Sequence, residues 1–484
     1  MRQAVTPGRV TRGTKRVKTA VVQWVNSVSS LLRSPIPSRS FEPKPRFSFQ
    51  RLHLQPGAPA GPGAGAGAGA LAYCTRHGSG LTAPPLDMDS PPDALPPAAP
   101  VPWWTKITRW RQTSRQEGRH AEQRVLGLFP GPGGPLTARD VRIGPGKEDY
   151  LHTLQGGPDS VDPPVVLMPG YGAGVGFYYR NFPGLAQRLR LFAVDWLGTG
   201  LSGRPRYLAR TRQQAEDFFL DSLASWRREA GLEGSKMVLV GHSLGGYLAA
   251  SYALRHPEHV AHLVLVCPAG VPKAPEDWER RWLGERWSWR GQVFRALMWG
   301  WEAGLTPGAL IRGLGPWGQS IVFKYVANRF SHHGEGLSPR EVEVFREYFY
   351  SIAALPGSGE YALRHLLAPG AWAHAPLEER LHELRVPVTF IYGKHDWMRP
   401  EHAVRLCERL RAQRPPSAPH DLAVQIIEDA GHFVFLDQPE LFDKALTSVV
   451  APYLAPGRGG QRGAAEEYAA AGTRVRTAPE AEGG

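Results

Sequence analysis

Short apolar runs alternate with longer amphipathic segments over residues 141–454, and this alternation is the main structural signal in the chain. The runs are rich in β-branched residues, and each ends at Gly, Asp or close to Pro, which is typical of buried strands. They occupy residues 165–168, 191–194, 237–240, 263–266 and 388–392. Since strands that alternate with helices form parallel sheets covered on both faces, the pattern predicts an α/β fold with a mostly parallel central sheet.

Residues 270–385 interrupt this pattern and carry eight tryptophans. We interpret them as a helical cap inserted into a sheet domain made of residues 141–269 and 386–455. One cap helix is well marked, because Ser338 and Glu341 form a capping box around Pro339 at the first helical position.

The flanking segments differ in composition from the sheet domain. Residues 103–140 are predicted to be a Trp-rich helical extension, with a helix over about 117–128, which either packs on the main domain or enters a membrane interface. Residues 56–102 are rich in Ala, Gly and Pro, so we expect a disordered linker. We expect the polar tail, residues 456–484, to be disordered as well.

Residues 1–55 form a basic leader. Its first 41 residues hold eight Arg or Lys residues and no acid, which accounts for much of the formal net charge of +13. Apolar positions at helical spacing make the leader similar to an organellar transit peptide for a mitochondrion or plastid. A disordered basic tail and a helix lying on a membrane surface remain alternatives. Because the charge is concentrated here, a nucleic-acid partner is not predicted.

Composition excludes several other classes of protein. No run approaches 18 apolar residues, so the sequence predicts no membrane-spanning helix. Cys74, Cys267 and Cys407 are sparse and without paired spacing, which indicates neither a disulfide framework nor a zinc site. We therefore expect a reducing intracellular compartment and no metal.

The segment Gly241-His242-Ser243-Leu244-Gly245 matches the G-x-S-x-G nucleophile pattern. A predicted strand precedes it and a predicted helix follows it, as in the sharp strand–turn–helix elbow that exposes a catalytic serine. Side chains at the two flanking positions would collide with neighbouring backbone, hence the glycines. Ser243 is the predicted nucleophile.

A serine hydroxyl needs a base, and the base needs an acid that fixes its tautomer. In this type of site both follow the serine in the chain, on loops after later strands. Asp396 follows the strand 388–392, and His432 follows a predicted strand at 424–427. We predict His432 as the base and Asp396 as its acid. Asp195, also at a strand end, precedes the serine and sits in a Gly-rich turn.

The oxyanion of a tetrahedral intermediate needs preorganised N–H donors. The backbone N–H of Leu244, directly after the nucleophile, is one candidate. The second is that of Tyr171, in the small-residue loop at 169–174. The alternative interpretation of this loop is a Gly-rich strand-to-helix turn with no catalytic role.

His432 also begins a His-x4-Asp spacing that ends at Asp437, a pattern that supplies base and acid in glycerolipid acyltransferases. We favour a different interpretation, in which Asp437 caps the helix that begins near Pro439, with Glu440 as its acidic neighbour.

Four further segments carry a family resemblance. They read FYYRNF at 177–182, GLGPWG at 313–318, YGKHDWM at 392–398 and GHFVFLD at 431–437. With the elbow, they resemble the signatures of the α/β-hydrolase-domain subfamily 4/5, particularly its plant-type members. Pro169 departs from the family, which usually has His before the glycine of the oxyanion loop.

The resemblance implies an α/β-hydrolase fold and a role in intracellular glycerolipid metabolism. It implies lipase or phospholipase activity, or acyl transfer from acyl-CoA, as a co-substrate, to lysophosphatidic acid; no cofactor is expected. Expected partners are a glycerolipid or lysophospholipid and the surface of a membrane or lipid droplet. Some relatives lack the serine and act as lipolysis coactivators, so a non-catalytic binding role is the alternative function.

Overall fold

A single mostly parallel sheet organises the part of the chain that the structure describes. The structure is a computed structural model that describes residues 113–131, 136–278, 289–330, 334, 336–413, 422–454 and 473–476. The leader, the linker and the tryptophans of residues 103–110 lie outside these residues.

Within the described residues, the main sheet contains nine strands in the order β1-β2-β4-β3-β5-β6-β9-β10-β11, with the bounds given below. Neighbouring strands from β4 through β3 to β10 are parallel, whereas β1, β2 and β11 join the two edges in antiparallel pairs. The strands are β1 Thr137–Arg142, β2 Tyr150–Gly156, β3 Val165–Met168, β4 Leu191–Val194, β5 Met237–His242, β6 Val260–Val266, β9 Val388–Gly393, β10 Leu422–Ile427 and β11 Thr473–Arg476.

Helices cover this sheet. Helix α4 packs on β5 and β6, α3 on β1 and β2, and both α11 and α13 on β10. The helices outside the cap are α1 Arg115–Leu126, α2 Phe182–Leu185, α3 Arg212–Glu229, α4 Leu244–Arg255, α11 Glu401–Gln413, α12 Val434–Asp437 and α13 Pro439–Val450.

Helices and a small hairpin lie between β6 and β9, in the segment that we interpret as a helical cap. Its helices are α5 Trp289–Glu302, α6 Pro307–Gly313, α7 Pro316–Arg329, α8 Pro339–Ala353, α9 Leu363–Leu366 and α10 Leu377–Arg380, with a small hairpin of β7 Leu367–Ala368 and β8 Trp372–Ala373. Helix α8 begins with the predicted capping box, in which Ser338 accepts from the Glu341 N–H and Glu341 accepts from the Ser338 N–H.

All five strands predicted from apolar runs are present, with β6 beginning earlier, at Val260. The sequence did not reveal β1 and β2. Strand β1 is a largely exposed edge strand without an apolar alternation, and it begins at Thr137, inside the segment assigned to the N-terminal extension. Strand β2 is buried although it carries His152 and Thr153.

The tail also departs from expectation, because residues 473–476 form β11 and pair with β10. Main-chain hydrogen bonding to an open sheet edge requires no apolar pattern, so composition gave no signal for this strand. No helix in the described ranges is long and apolar enough to cross a membrane.

A buried charged network explains how polar residues fit inside β2. His152 Nε2 lies 2.7 Å from Glu122 Oε2 of α1, and its Nδ1 lies 3.1 Å from Asp140 Oδ1 of β1. Burial opposes the charged imidazolium, but the two carboxylates outweigh it and raise the pKa of His152 to about 10. The network therefore fastens the N-terminal helix α1 to the sheet.

This network predicts a stability loss at alkaline pH. A histidine with a raised pKa stabilises the fold fully below its unfolded pKa of 6.5, and the contribution disappears as pH rises through about 10. We expect the wild type to exceed His152→Gln in unfolding free energy by a few kcal/mol near pH 6, at about 1.4 kcal/mol per pKa unit, and to lose that advantage by pH 10.

Urea unfolding at several pH values tests this expectation, with the exposed His120→Gln on the same helix as the control. A difference between wild type and His152→Gln that stays constant from pH 6 to 10 would show that His152 is neutral in the fold.

Candidate active site

Ser243 occupies a strained turn between β5 and α4. Its backbone angles are φ 54° and ψ −120°, in the region that non-glycine residues rarely adopt. A Cβ added at Gly241 would lie 2.4 Å from the Gly245 carbonyl oxygen, and one added at Gly245 would lie 2.4 Å from that of Pro169. Both glycines of the motif are therefore required by close backbone contacts, and the turn presents the Ser243 side chain at the carboxyl edge of the sheet.

The structure brings Ser243, His432 and Asp396 together. His432 Nε2 lies 3.0 Å from Ser243 Oγ, and His432 Nδ1 lies 2.9 Å from Asp396 Oδ1. Asp396 Oδ1 also accepts from the Met398 N–H at 3.1 Å. These distances are those of hydrogen bonds, so the acid, base and serine form one continuous chain.

These hydrogen bonds fix the direction of proton transfer. Because Nδ1 donates to Asp396, Nε2 is the free acceptor and faces the serine hydroxyl. His432 can remove the Ser243 proton as the oxygen attacks a carbonyl, and the Asp396 carboxylate stabilises the resulting imidazolium.

The loop that carries His432 is held to the elbow by His242. The His242 Nε2–H donates to the His432 carbonyl oxygen at 2.9 Å. Burial is the main cause that lowers the pKa of His242 well below its usual value, so the ring is a neutral donor. The neighbour of the nucleophile thus positions the backbone of the base.

Asp437 lies beside the same loop but contacts its backbone. Its Oδ2 accepts from the Gly431 N–H at 2.8 Å. The prediction that Asp437 caps the following helix was wrong, because Gln438 is the N-cap residue and no side chain caps that helix. The short helix α12 turns the Asp437 carboxylate back toward Gly431, a direction that the linear spacing did not reveal.

The arrangement places the two members of the His-x4-Asp motif in different roles. Both His432 ring nitrogens are engaged, by Asp396 and Ser243, so the Asp437 carboxylate supports the base through the main chain.

The two oxyanion candidates, Leu244 and Tyr171, border the elbow. Leu244 is the first residue of α4, and the Gly170 backbone is so close to Ser243 that an added Cβ would lie 2.8 Å from the Ser243 Cβ. Among the described residues, neither the Leu244 nor the Tyr171 N–H has a hydrogen-bond partner. Both donors are thus available beside the nucleophile.

Other contacts replace the histidine that the family usually has at Pro169. The Trp196 Nε1–H donates to the Pro169 carbonyl at 3.1 Å, and the Tyr178 hydroxyl donates to the Met168 carbonyl at 3.2 Å. Together with the contact between Pro169 and Gly245, they hold the loop against the elbow.

Asp195, the competing acid, does not contact His432. Its carboxylate accepts from the N–H groups of Val175 and Leu201 at 2.9 and 2.8 Å. Burial raises its pKa to about 7. It organises the turns after β3 and β4, as its Gly-rich surroundings indicated.

Cys267 lies beside the triad, with its Sγ within 4.8 Å of ligand atoms of Asp396 and His432. Burial and the Asp396 charge raise the pKa of this thiol well above its usual value. Cys267 therefore remains a neutral thiol and is a poor nucleophile.

Aromatic side chains from the core and the cap surround one side of His432. The Phe433 ring lies 5.5 Å from that of His432, 5.8 Å from that of Phe177 and 5.3 Å from that of Phe330, the residue directly after α7. On another side, Trp397 lies 5.4 Å from the His432 ring and is partly exposed. His432 thus has buried aromatic rings on one side and a partly exposed tryptophan on another.

Sequence reasoning missed His242, Trp196 and Arg180 as supports of the site. Arg180 donates to the Leu436 carbonyl at 3.0 Å, to the Gly336 carbonyl at 2.8 Å and to Glu341 of the cap. Two of these residues lie inside segments already marked, the elbow and the FYYRNF segment, but their partners are distant in sequence.

The fold and the position of the serine define an α/β-hydrolase-fold protein. Residues 163–310 match the family described as alpha/beta hydrolase fold. The chain is 38% identical over 392 residues to a protein of Arabidopsis thaliana named 1-acylglycerol-3-phosphate O-acyltransferase, with 77% of this chain and 90% of that protein covered.

Two mammalian relatives are similar over most of their length. Identity is 32% over 343 residues to the (lyso)-N-acylphosphatidylethanolamine lipase of Mus musculus, covering 70% of this chain and 92% of that protein. Identity is also 32%, over 351 residues, to the human 1-acylglycerol-3-phosphate O-acyltransferase ABHD5, covering 70% of this chain and 90% of that protein. The chain therefore belongs to the α/β-hydrolase-domain subfamily 4/5.

Asp437 gives this loop a measurable pH dependence. Burial raises the pKa of Asp437 from 3.8 to about 6, although Arg329 and the Gly431 N–H oppose the rise. A carboxyl with a raised pKa costs stability as pH rises from its unfolded toward its folded pKa. Relative to Asp437→Asn, we expect the wild type to lose up to about 3 kcal/mol of unfolding free energy between pH 4 and 7.

Denaturant unfolding across this pH range provides the measurement, and Glu440→Gln, at an exposed acid of the next helix, is the control. A wild type that gains stability over Asp437→Asn as pH rises would mean that the Asp437 carboxylate is stabilised by ionisation.

Proposed function

We propose that the protein is a serine acyl hydrolase of glycerolipids and lysophospholipids, with acyl transfer to lysophosphatidic acid as a second outcome of the same chemistry. The observation that carries this proposal is the continuous hydrogen-bond chain from Asp396 through His432 to Ser243. A chain of this kind supports covalent acyl transfer, whichever acceptor follows.

In the proposed mechanism, Ser243 Oγ attacks the carbonyl carbon of an ester or thioester while His432 Nε2 takes its proton. The N–H groups of Leu244 and Tyr171 stabilise the oxyanion. The imidazolium then protonates the leaving alcohol or thiol, and an acyl-enzyme remains. Water or a lysolipid hydroxyl, deprotonated by His432, releases the acyl group and restores the serine.

Two lines of support favour a lipid substrate. The buried rings of Phe433, Phe177 and Phe330 make the surroundings of His432 apolar, which favours an acyl chain over a polar group beside the triad. The relatives described above are named for acyl transfer to 1-acylglycerol-3-phosphate and for lipase action on N-acylphosphatidylethanolamine. Lipids of this type have an ester bond, which Ser243 would attack, and a long apolar chain.

Hydrolysis and transfer share one site in this proposal. A separate transfer centre would need His432 paired with Asp437, yet that carboxylate accepts from the Gly431 N–H. One imidazole cannot serve Asp396, Ser243 and a second acid through two nitrogens. The outcome is therefore decided by which acceptor reaches the acyl-enzyme.

The proposal predicts that Ser243→Ala loses both activities together. Loss of the nucleophile should lower turnover by at least about a thousandfold, since a triad acts as a unit. Asp437→Asn should retain both activities, because Asn keeps a carbonyl oxygen for the Gly431 N–H. The measurement is a paired assay of radiolabelled acyl transfer and lipid hydrolysis on purified protein, with labelling of Ser243 by a fluorophosphonate.

Ser448→Ala is the matched control, because this serine lies on α13, where it donates to the Ala445 carbonyl and accepts from Gln425 Nε2. Transfer at the wild-type rate in Ser243→Ala would refute the single site. A folded wild type that neither reacts with the fluorophosphonate nor turns over lipid would favour the coactivator role instead.

We also propose that the enzyme acts at the surface of a membrane or lipid droplet, with the cap facing the lipid. Large apolar side chains are exposed on the cap, with exposed fractions of 75% for Trp299 and 44% for Trp317; Leu305 and Tyr325 are also exposed. Tryptophan is favoured at membrane interfaces, where its apolar ring leaves water. We further propose that the basic leader, residues 1–55, directs import of the protein into a mitochondrion or plastid.

This orientation predicts weaker lipid binding when the cap tryptophans are removed. We expect Trp299→Ala combined with Trp317→Ala to weaken binding to phosphatidylcholine vesicles about tenfold, which corresponds to about 1.4 kcal/mol. Vesicle co-sedimentation of the full chain measures it. Leu208→Ala, at an exposed apolar residue outside the cap, is the control. Unchanged binding by the double variant would place the lipid contact elsewhere.

A further inference from the structure

A second cluster of reactive side chains lies at the opposite edge of the sheet from the triad. His256 follows α4, and Glu258 and His259 belong to a single 3-10 turn, residues 257–259, that leads into β6. Ser243, Asp396 and His432 all follow the carboxyl ends of strands parallel to β6. The cluster precedes β6, so it lies at the amino edge and takes no part in the triad.

The donor atoms of this cluster have the spacing of a metal site. Glu258 Oε1 lies 3.3 Å from His256 Nδ1 and 3.5 Å from His259 Nε2, and all three atoms lie within 4.8 Å of one another. A tetrahedral Zn²⁺ with bonds of about 2.0–2.1 Å separates its ligand atoms by about 3.3–3.4 Å. Two of the three separations are thus close to those of a bound ion.

The remaining adjustment falls on side chains that are at least partly exposed. The two imidazole rings are stacked, with centroids 4.9 Å apart, so the ring of His256 must tilt for both nitrogens to reach one ion. The side chains of His256 and Glu258 have exposed fractions of 25% and 61%, which leaves them room to move. Their exposure also leaves space for water as a fourth ligand.

His259 has the outer partner that metal-binding histidines usually have. The hydroxyl of Tyr252, a buried residue of α4, lies 2.9 Å from His259 Nδ1. When Nδ1–H donates to this hydroxyl, Nε2 carries the lone pair and points toward Glu258. Tyr252 therefore holds the ring in the tautomer and orientation that ligation needs.

The surrounding charges leave the site able to accept a cation. Burial, followed by the Arg227 charge, lowers the pKa of His259, so its imidazole is neutral at pH 7. The Arg227 guanidinium, the source of that charge, donates to the carbonyls of Glu233 and Ser235. Arg255, the residue directly before His256, pairs with Asp217 and Asp221.

We propose that His256, Glu258 and His259 bind a divalent transition-metal ion, Zn²⁺ above all, with Tyr252 as the positioning residue of His259. Two imidazoles, one carboxylate and a water form a donor set that suits zinc. The ion would join the end of α4 to the start of β6 and stabilise the fold. The proposal is independent of the lipid chemistry at the carboxyl ends of the strands.

Calorimetric titration of the metal-free full chain with Zn²⁺ tests the site. Because the 17 histidines of the chain allow other binding, the expected result is a loss of one equivalent of Zn²⁺ in His256→Gln and in His259→Gln. Tyr252→Phe keeps all three ligands but should bind that equivalent about 10–100-fold more weakly.

His382→Gln is the matched control, because His382 is also exposed and lies beside a glutamate, Glu383, with Nε2 to Oε1 at 3.7 Å. It should keep the full number of equivalents. A stoichiometry unchanged in both ligand variants would overturn the proposal, as would wild-type affinity in Tyr252→Phe. Ester cleavage measured on the same samples reports separately on the triad.

Discussion

The structure of the site depends on one strained residue, Ser243, held at positive φ. Its N–H donates to the Val266 carbonyl at 3.0 Å, and its own carbonyl accepts from the N–H groups of Gly246 and Ala269 at 2.9 and 3.0 Å. A non-glycine residue in such a conformation costs roughly 1–3 kcal/mol, which these bonds and the close glycine contacts offset. The surrounding sheet thus keeps the nucleophile exposed instead of letting the turn relax.

The base depends on contacts from three different parts of the chain. His242 of the elbow holds the His432 carbonyl, Asp437 holds the Gly431 N–H, and Arg180 joins the following helix to the cap through Glu341. A shift of the cap would therefore change the position of the His432 imidazole. Arg180 thus joins the cap to the loop that carries the base.

The charged groups that do not take part in catalysis are placed where they order the chain. The Asp195 carboxylate accepts hydrogen bonds from two backbone N–H groups. His152 joins α1 to the sheet through Glu122 and Asp140. Buried charges are costly unless paired, so each of these residues fixes one arrangement of its neighbours. The N-terminal helix also reaches the cap, since Arg124 pairs with Glu347 of α8.

The amino-acid sequence by itself determined the α/β order and the three residues that the structure brings together at the elbow. Apolar runs identify buried strands, and the chain order Ser243, Asp396, His432 follows from where strands end, so local patterns suffice for these features. Edge strands β1 and β11 gave no such signal, because main-chain hydrogen bonds place them. Only the tertiary structure decided that Asp437 holds the Gly431 N–H and that His242 holds the His432 carbonyl. Those roles depend on the direction of side chains across distant segments, which spacing along the chain does not encode.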